Sequence, residues 1–270
     1  DKLMLLYARI AWKYGSALLG LAWGLSTVIL IPDYSPPFTI SKYNLSVPRR
    51  TIRKIRMIGP IANVSSRTRS RKTASNHPPV FACVSGPAND RNHLVTVLQR
   101  LLEQLPNNVR VIMGCGNPEG SDQPKTFGRL TVYEWMNQCD YDRVFAEADL
   151  IIGRAGHGTI MKAVRERKPL VLIPPPNHTE QANNSKRACE IGIAVELDQG
   201  GLEPENFRGA VRDALRKNES WPPELVAASR SQDGAREIVR LVYELGSLGD
   251  LPVESPTERS RETVPEPVAR

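Results

Sequence analysis

The chain has 270 residues, 40% of them hydrophobic and 24% charged, which is typical of a globular protein and excludes a fibre or a wholly disordered chain. This length allows one large domain or two small ones. The net charge of +7 is unevenly distributed, since no acidic residue lies between Tyr34 and Asn89. The four cysteines form no C-x-x-C pair, which disfavours a zinc site or a disulfide scaffold and fits a reducing cytoplasm.

The first 61 residues look like the end of a domain, with a predicted helix, a strand, a Pro-containing loop and a second short strand. Because the sequence starts at Asp1 without a signal-peptide pattern, we expect a fragment or a processed product. The apolar run over residues 14–32 approaches the length of a membrane-spanning helix. Its several glycines and its β-rich end at residues 27–31 instead favour a buried helix followed by a buried strand. Another short strand is predicted at residues 54–58.

A basic block with ten lysines and arginines occupies residues 42–72. Such a block attracts phosphate of any kind, so its partner could be an anionic membrane surface or a pyrophosphate ligand. The alternative is that the block is a solvated linker without a partner. Nucleic acid is not expected as a partner, because Tyr34, Phe38 and Tyr43 alone supply aromatic rings near these charges.

The rest of the chain alternates apolar strands with helical patterns. Strands are predicted near residues 80–84, 109–113, 130–132, 150–152, 170–173 and 194–197. Continuous Val, Ile and Leu in such strands predict an α/β fold with a doubly wound parallel sheet. The expected organisation is a domain end at 1–61, a basic linker or loop at 62–79, a second domain at 80–246 and a disordered tail at 247–270.

Three turns at the carboxyl ends of these strands carry polar or Gly-rich sequences, where ligands of doubly wound sheets bind. In the strongest, the strand near 150–152 turns into a helix through Arg154, Gly156, His157, Gly158 and Thr159. Glycines allow close approach of a ligand, and a helix N-terminus suits pyrophosphate, although sheets also use such turns for packing alone.

The second turn follows three prolines at 174–176 and contains Glu180, Gln181 and Asn184. These side chains suit sugar hydroxyls, but they are equally typical of a helix N-cap. The third turn, with Ser85 and Gly86, follows the first strand of the domain and is also consistent with a plain turn.

Together these segments resemble the C-terminal domain of GT-B glycosyltransferases of family 28, typified by the bacterial peptidoglycan N-acetylglucosaminyltransferase, and above all their archaeal members. The match covers roughly residues 80–215 and is most specific at 154–160 and 168–174. Residues 32–45 also look like the end of the N-terminal domain in the archaeal members. The resemblance implies a GT-B fold, in which a Rossmann-like domain is preceded by the end of a second, incomplete α/β domain.

The resemblance implies transfer of a sugar from a UDP-sugar donor, with N-acetylglucosamine expected, to a lipid-linked acceptor with inversion. No metal ion or other cofactor is expected. The expected location is the cytoplasm, peripherally on the inner face of the cell membrane. A nucleotide-sugar-binding half that needs a partner for catalysis is the main alternative, and a hydrolase or 2-epimerase on the same fold is the next.

Site roles carried over by position are expectations of the resemblance. Ser85 and Thr159 would face the diphosphate, Trp135 and Met136 would lie against uracil, and Gln181, with Glu180 beside it, would bond the sugar. His157 would neutralise phosphate charge or make a structural hydrogen bond.

Two departures from the family pattern concern the donor site. Lys162 stands where the family has a glutamate that bonds the ribose hydroxyls, and a lysine cannot accept a hydrogen bond. Cys115 stands where some relatives have serine. The family's catalytic base belongs to an early Gly-rich loop, which does not occur before Asp33, so the catalytic residue stays unassigned and His77 is a poor substitute.

Overall fold

A computed structural model of the chain describes residues 14–15, 20–45, 51–62, 79–217 and 220–246. Residues 63–78 of the predicted linker at 62–79, including His77, and the predicted tail at 247–270 lie outside this described part, as does much of the basic block.

Two short strands precede the large sheet. β1 (Ile29–Ile31) pairs in parallel with β2 (Ile55–Met57), with Ile29 opposite Ile55. Both strands predicted in this region are therefore present, although β1 is half-buried and not buried as expected.

The helix before β1 differs from its prediction. Residues 20–25 are helical, but Leu21 is 71% exposed and Leu25 is 91% exposed, so the expectation of a buried helix is wrong at these positions. Within the residues that the structure describes, no helix combines the length and apolar character needed to cross a bilayer.

A seven-stranded sheet forms the core of the chain from residue 79 onward. Its strands in chain order are β3 (Pro79–Cys83), β4 (Arg110–Gly114), β5 (Lys125–Phe127), β6 (Leu130–Tyr133), β7 (Leu150–Gly153), β8 (Leu170–Leu172) and β9 (Ala194–Glu196). The spatial order is β5-β6-β4-β3-β7-β8-β9, and every pair is parallel except β5 with β6. The chain thus builds outward from β3 and then returns to β7 beside it, which makes the β3–β7 boundary the switch point of the sheet.

Helices connect these strands and continue after them. They are α1 (Ala88–Glu103), α2 (Gln138–Glu147), α3 (His157–Glu166), α4 (Thr179–Ile191), α5 (Pro204–Lys217), α6 (Pro223–Ser231) and α7 (Gly234–Gly246). The chain divides into two units after Gly234. In the second unit, Arg240 of α7 pairs with Glu237 and Glu244 of the same helix.

Both faces of the sheet are buried under helices. In β7, Leu150 and Ile152 belong to the apolar cluster that includes Leu98 of α1, whereas Ile151 belongs to the cluster that includes Phe145 of α2. Alternate residues of one strand thus enter opposite core layers, which explains why the strand is apolar throughout. The predicted doubly wound α/β class is confirmed.

One strand escaped prediction. β5 is an edge strand whose three residues, Lys125, Thr126 and Phe127, are all exposed. Because no side chain of β5 enters a core layer, its sequence carries no apolar run by which it could be recognised.

Gly153 allows β7 to lie against β3, and its substitution should destabilise the fold. A Cβ on Gly153 would stand 2.5 Å from the Cys83 carbonyl oxygen, so we expect Gly153→Ala to lower the free energy of unfolding by about 1–3 kcal/mol in urea titrations. The control is Gly209→Ala within α5. A Cβ placed on Gly209 would meet no neighbouring atom within 4 Å outside the helix's own backbone, so alanine should raise the free energy of unfolding there by about 0.5–1 kcal/mol. Equal stabilities for the two variants would contradict this account of the strand contact.

Candidate functional site

The switch point brings two of the predicted turns side by side. The loop after β3 contains Ser85 and Gly86, which are both exposed, and Gly86 has a φ of 124° with open space around it. The loop after β7 leads through Gly156 into α3. Because β3 and β7 are paired, both loops open at the same edge of the sheet.

The α3 N-terminus is open at this edge. Gly156 occupies the N-cap without a side-chain cap, and the first turn contains no acidic residue. The first bond of this helix is donated by Ile160 N to the Gly156 carbonyl, so the preceding amides of the first turn have no partner within the helix. Gly158 is exposed and Thr159 is half-buried there, and within the described part of the chain no backbone partner is observed for their N–H groups, which leaves these groups and a positive dipole end for an anion.

Arg154 is 3% exposed, and its guanidinium is bonded within the protein. It donates to the carbonyls of Ile173 and Asp90, at 3.1 Å each, and to the Gln199 side chain. These bonds tie the start of α1 and the end of β8 to the Gly-rich turn. The geometry favours a bracing role, and contact of Arg154 with a donor stays a prediction.

The loop after β8 supplies the second group of predicted residues. His178 caps α4 by accepting from the Gln181 N–H at 3.3 Å. The Gln181 side-chain oxygen is buried and has no hydrogen-bond partner among the residues that the structure describes, whereas Glu180 is exposed. An unpartnered acceptor of this kind costs free energy unless a ligand or water satisfies it, which makes Gln181 the best-supported ligand residue of this loop.

Asn184 is fully buried, and both ends of its amide are bonded. Its nitrogen donates to the Ala155 carbonyl at 3.2 Å, and its oxygen accepts from Asn44 at 2.8 Å. Asn184 therefore fixes α4 against the Gly-rich turn, so the geometry favours a positioning role for it.

Trp135 and Met136 lie between β6 and α2. Trp135 is 40% exposed, and Met136 packs in the same core layer as Phe81, beside Gly114 at the end of β4. The loop after β4 covers the loop after β3, because Gly116 lies directly on the Val84 carbonyl. Both side chains thus lie near the β4 side of the crevice, and their contact with a base stays a prediction.

Cys115, the milder departure, is buried in the other core layer, together with Val84 and Met113. Burial raises the pKa of the Cys115 thiol to about 11, so it stays protonated at neutral pH.

Lys162 lies on α3 and points into an acidic pair. Its ammonium is 2.8 Å from Asp142 of α2 and 3.0 Å from Glu166 of α3, and it lies 5.1 Å from the centre of the Phe145 ring. The side chain is therefore held inside the protein, and the ribose hydroxyls of a donor would need other partners.

The segment over residues 33–44 also reaches this site, which the sequence did not indicate. Asp33 contacts His157 at 3.3 Å, Asn44 bonds Asn183 and Asn184 at 2.8 Å each, and the Thr39 carbonyl accepts from Arg187 at 3.0 Å. Polar bonds thus hold the segment against the starts of α3 and α4.

A doubly wound sheet with an open, Gly-rich helix start at its switch point is the architecture of the Rossmann-like class, which is typical of nucleotide-binding domains. Among solved structures, the glycotransferase of kitacinnamycin is similar with a TM-score of 0.60 at 16% identity, covering 82% of this chain and 55% of that chain. The predicted GT-B fold is confirmed by this similarity.

The chain belongs to glycosyltransferase family 28, because the model of the family's C-terminal domain matches residues 80–241. An uncharacterized glycosyltransferase of Methanosarcina acetivorans is 24% identical over 189 residues, 69% of this chain and 47% of that protein. The UDP-N-acetylglucosamine–N-acetylmuramyl-(pentapeptide) pyrophosphoryl-undecaprenol N-acetylglucosamine transferase of Flavobacterium psychrophilum is 26% identical over 145 residues, 51% of this chain and 40% of that protein. The chain thus spans less than half the length of either relative.

The environment of Lys162 predicts how its substitutions behave. Lys162→Glu would gather three carboxylates, so we expect it to destabilise the protein more than Lys162→Met, which should lower the free energy of unfolding by about 2–4 kcal/mol. Lys162→Arg, which keeps the charge, should cost least. Urea titrations at neutral pH give these values, and a Lys162→Glu variant as stable as the parent protein would refute the ion-pair account.

Proposed function

We propose that this chain binds a UDP-sugar at the β3–β7 crevice and supplies the donor half of a sugar transfer. The observation that carries the proposal is the uncapped α3 N-terminus at the switch point, faced by the exposed loop after β3. Family membership supports a nucleotide sugar as the ligand.

The diphosphate would lie between the two loops. The backbone N–H groups of Gly158 and Thr159 and the Ser85 hydroxyl would donate to its oxygens. Gly86 and Gly158 leave the space for that approach, since no atom lies within 4 Å of a Cβ placed on either one.

The sugar would be held at the start of α4. The unpartnered Gln181 oxygen would accept from a sugar hydroxyl, and exposed Glu180 would take a second one. N-acetylglucosamine is the proposed sugar, because the Flavobacterium relative is named as a UDP-N-acetylglucosamine-dependent transferase.

The nucleoside would extend toward the β4 side of the crevice, where Trp135 offers an exposed ring and Met136 an apolar flank. Because Lys162 is engaged by Asp142 and Glu166, ribose recognition would differ from that of relatives with a glutamate at this position.

In the reaction, an acceptor hydroxyl loses its proton to a base and attacks the anomeric carbon from the face opposite the diphosphate. The bond between that carbon and the phosphate oxygen breaks with inversion, and UDP leaves with the electron pair. The residues of this chain would orient the donor and stabilise the charge on the leaving diphosphate, a combination of positioning and electrostatics. No residue is assigned as the base.

The acceptor is proposed to be lipid-linked and the protein to lie on an anionic membrane surface. The name of the Flavobacterium relative includes a pyrophosphoryl-undecaprenol acceptor. Exposed Leu21 and Leu25 precede β1, and Lys54 donates to the Gly24 carbonyl at 2.6 Å, which brings the start of β2 beside them. Arg53 and Arg56, from the basic block at 42–72, are exposed in the same part of the chain.

The Gln181 assignment predicts a split between two ligands. Because Gln181 would contact the sugar but not UDP, Gln181→Ala should weaken UDP-N-acetylglucosamine binding about tenfold and leave UDP binding unchanged in calorimetry. The control is Gln99→Ala on α1, where the glutamine bonds only Glu103 among the contacts described. An equal loss for both ligands would show that Gln181 does not read the sugar, and no binding of either ligand by the parent chain would refute the donor site.

The membrane proposal predicts salt-sensitive binding to anionic vesicles. Each basic residue near such a surface contributes about 1 kcal/mol, so Arg53→Glu with Arg56→Glu should lower the affinity for phosphatidylglycerol vesicles, measured by flotation at low salt, at least about tenfold. The matched control, with the same change in charge, is Arg212→Glu with Arg216→Glu on the exposed side of α5. If both pairs lower flotation equally, or if the parent chain floats equally with neutral vesicles, the basic block is not the membrane contact.

A further inference from the structure

Asp33 is a buried carboxylate with an unusually complete set of donors. It is 0% exposed and accepts from the backbone N–H groups of Tyr34 at 2.7 Å, Ile40 at 3.1 Å and Ser41 at 2.7 Å. The Ser41 hydroxyl donates to the same oxygen, Oδ2, at 2.6 Å. Burial raises the pKa of Asp33, but hydrogen bonds from His157 and Ser41 outweigh burial and hold the pKa below its usual value. Asp33 is therefore a fixed negative charge at neutral pH.

His157 is the first residue of α3, and its side chain is 27% exposed. Its Nε2 lies 3.3 Å from Oδ2 of Asp33. Within the described part of the chain, Asp33 is the ionisable side chain whose contact with this ring is observed. An ionised carboxylate can only accept, so Nε2 must carry the proton and Nδ1 is the nitrogen left free.

We propose that Asp33 is a positioning residue for His157: it fixes the Nε2–H tautomer and directs Nδ1 toward the donor diphosphate at the α3 N-terminus. This inference rests on the proposed function. When the diphosphate binds, Nδ1 takes up one proton from the acid form of the buffer, whose conjugate base remains in solution, and the ring then donates through Nε2 to Asp33 and through Nδ1 to phosphate.

The chemical reason for this arrangement is charge. A neutral ring would turn the Nδ1 lone pair toward an anion, which is unfavourable, whereas an imidazolium placed between two anions is stabilised by both. The buried carboxylate is present before the donor arrives, so the ring needs no reorientation when charge develops on the leaving diphosphate. Asp33 and His157 are separated by 124 positions, and Asp33 lies before the basic block at 42–72. A residue of the segment that precedes the seven-stranded sheet would thus control the protonation of a histidine in the domain that contains this sheet.

The proposal is tested by nitrogen NMR of the histidine rings in the intact chain, at about pH 8, where an unperturbed imidazole is neutral. The chain has four histidines, and His157→Gln identifies the signals of His157. We expect the Nε2–H tautomer in the parent chain, its loss in Asp33→Asn, and its retention in Ser41→Ala. Ser41→Ala is the matched control, because it removes another bond to the same carboxylate oxygen and leaves the contact with His157 in place.

Addition of UDP then tests the role of the free nitrogen. Nδ1 should become protonated in the parent chain, and UDP affinity should fall about tenfold in His157→Gln, similarly in Asp33→Asn, and no further in the double variant. Melting of each variant shows whether it is folded. If Asp33→Asn does not fold, the tautomer of His157 in the parent chain and the response of its Nδ1 to UDP decide the matter.

Each adverse result identifies what fails. An Nδ1–H tautomer in the parent chain, or an unchanged tautomer in folded Asp33→Asn, overturns the positioning role. UDP binding without a response of Nδ1 overturns the diphosphate contact and leaves the donor site standing. If UDP does not bind the parent chain, the proposed function fails, and the diphosphate part of this inference fails with it, even where the tautomer follows Asp33.

Discussion

Parallel pairing of β3 with β7 is the contact on which the rest of the site depends. The pairing is close because Gly153 has no side chain where the Cys83 carbonyl passes. It sets the loop after β3 beside the start of α3, and the buried Arg154 then fixes the neighbouring loops by bonding the carbonyls of Asp90 and Ile173. Satisfying this guanidinium with backbone carbonyls offsets the cost of burying its charge, and the result is a rigid edge with an open helix start.

The polar groups around this edge fall into two kinds. The guanidinium of Arg154 and the amide of Asn184 are hydrogen-bonded within the protein, so these groups hold the loops in place. The Gln181 oxygen and the first amides of α3 are not satisfied in this way, so they are the groups available to a ligand. The same distinction explains Lys162, whose charge is balanced by Asp142 and Glu166 and is thereby withdrawn from the crevice.

The fold was predictable from the sequence because β3, β7, β8 and, after Arg110, β4 are apolar, and two-sided burial demands that pattern. Edge strand β5 was not predictable, because its three exposed residues show no apolar run and no alternation of apolar and polar residues. The Gly-rich turn and the α4 start were recognisable because their glycines and carboxamides are close together in sequence. The contacts of Lys162 with Asp142 and of His157 with Asp33 were not, because they join residues 20 and 124 positions apart whose meeting depends on tertiary packing. At residues 20–25 the apolar composition led to a wrong prediction of burial. Composition alone does not indicate whether another part of the protein covers a helix.

The most direct test of the account is whether the α3 N-terminus responds to a diphosphate. Backbone amide NMR of the chain with UDP and, separately, with uridine gives the answer. We expect UDP to shift the amide signals of Gly86, Gly156 and Gly158 and uridine to leave them largely unchanged, with Gly128 of the β5–β6 turn unaffected by either. Shifts confined to Gly128 or other positions away from the switch point, or shifts at the three glycines that uridine reproduces in full, would contradict a diphosphate site at this helix.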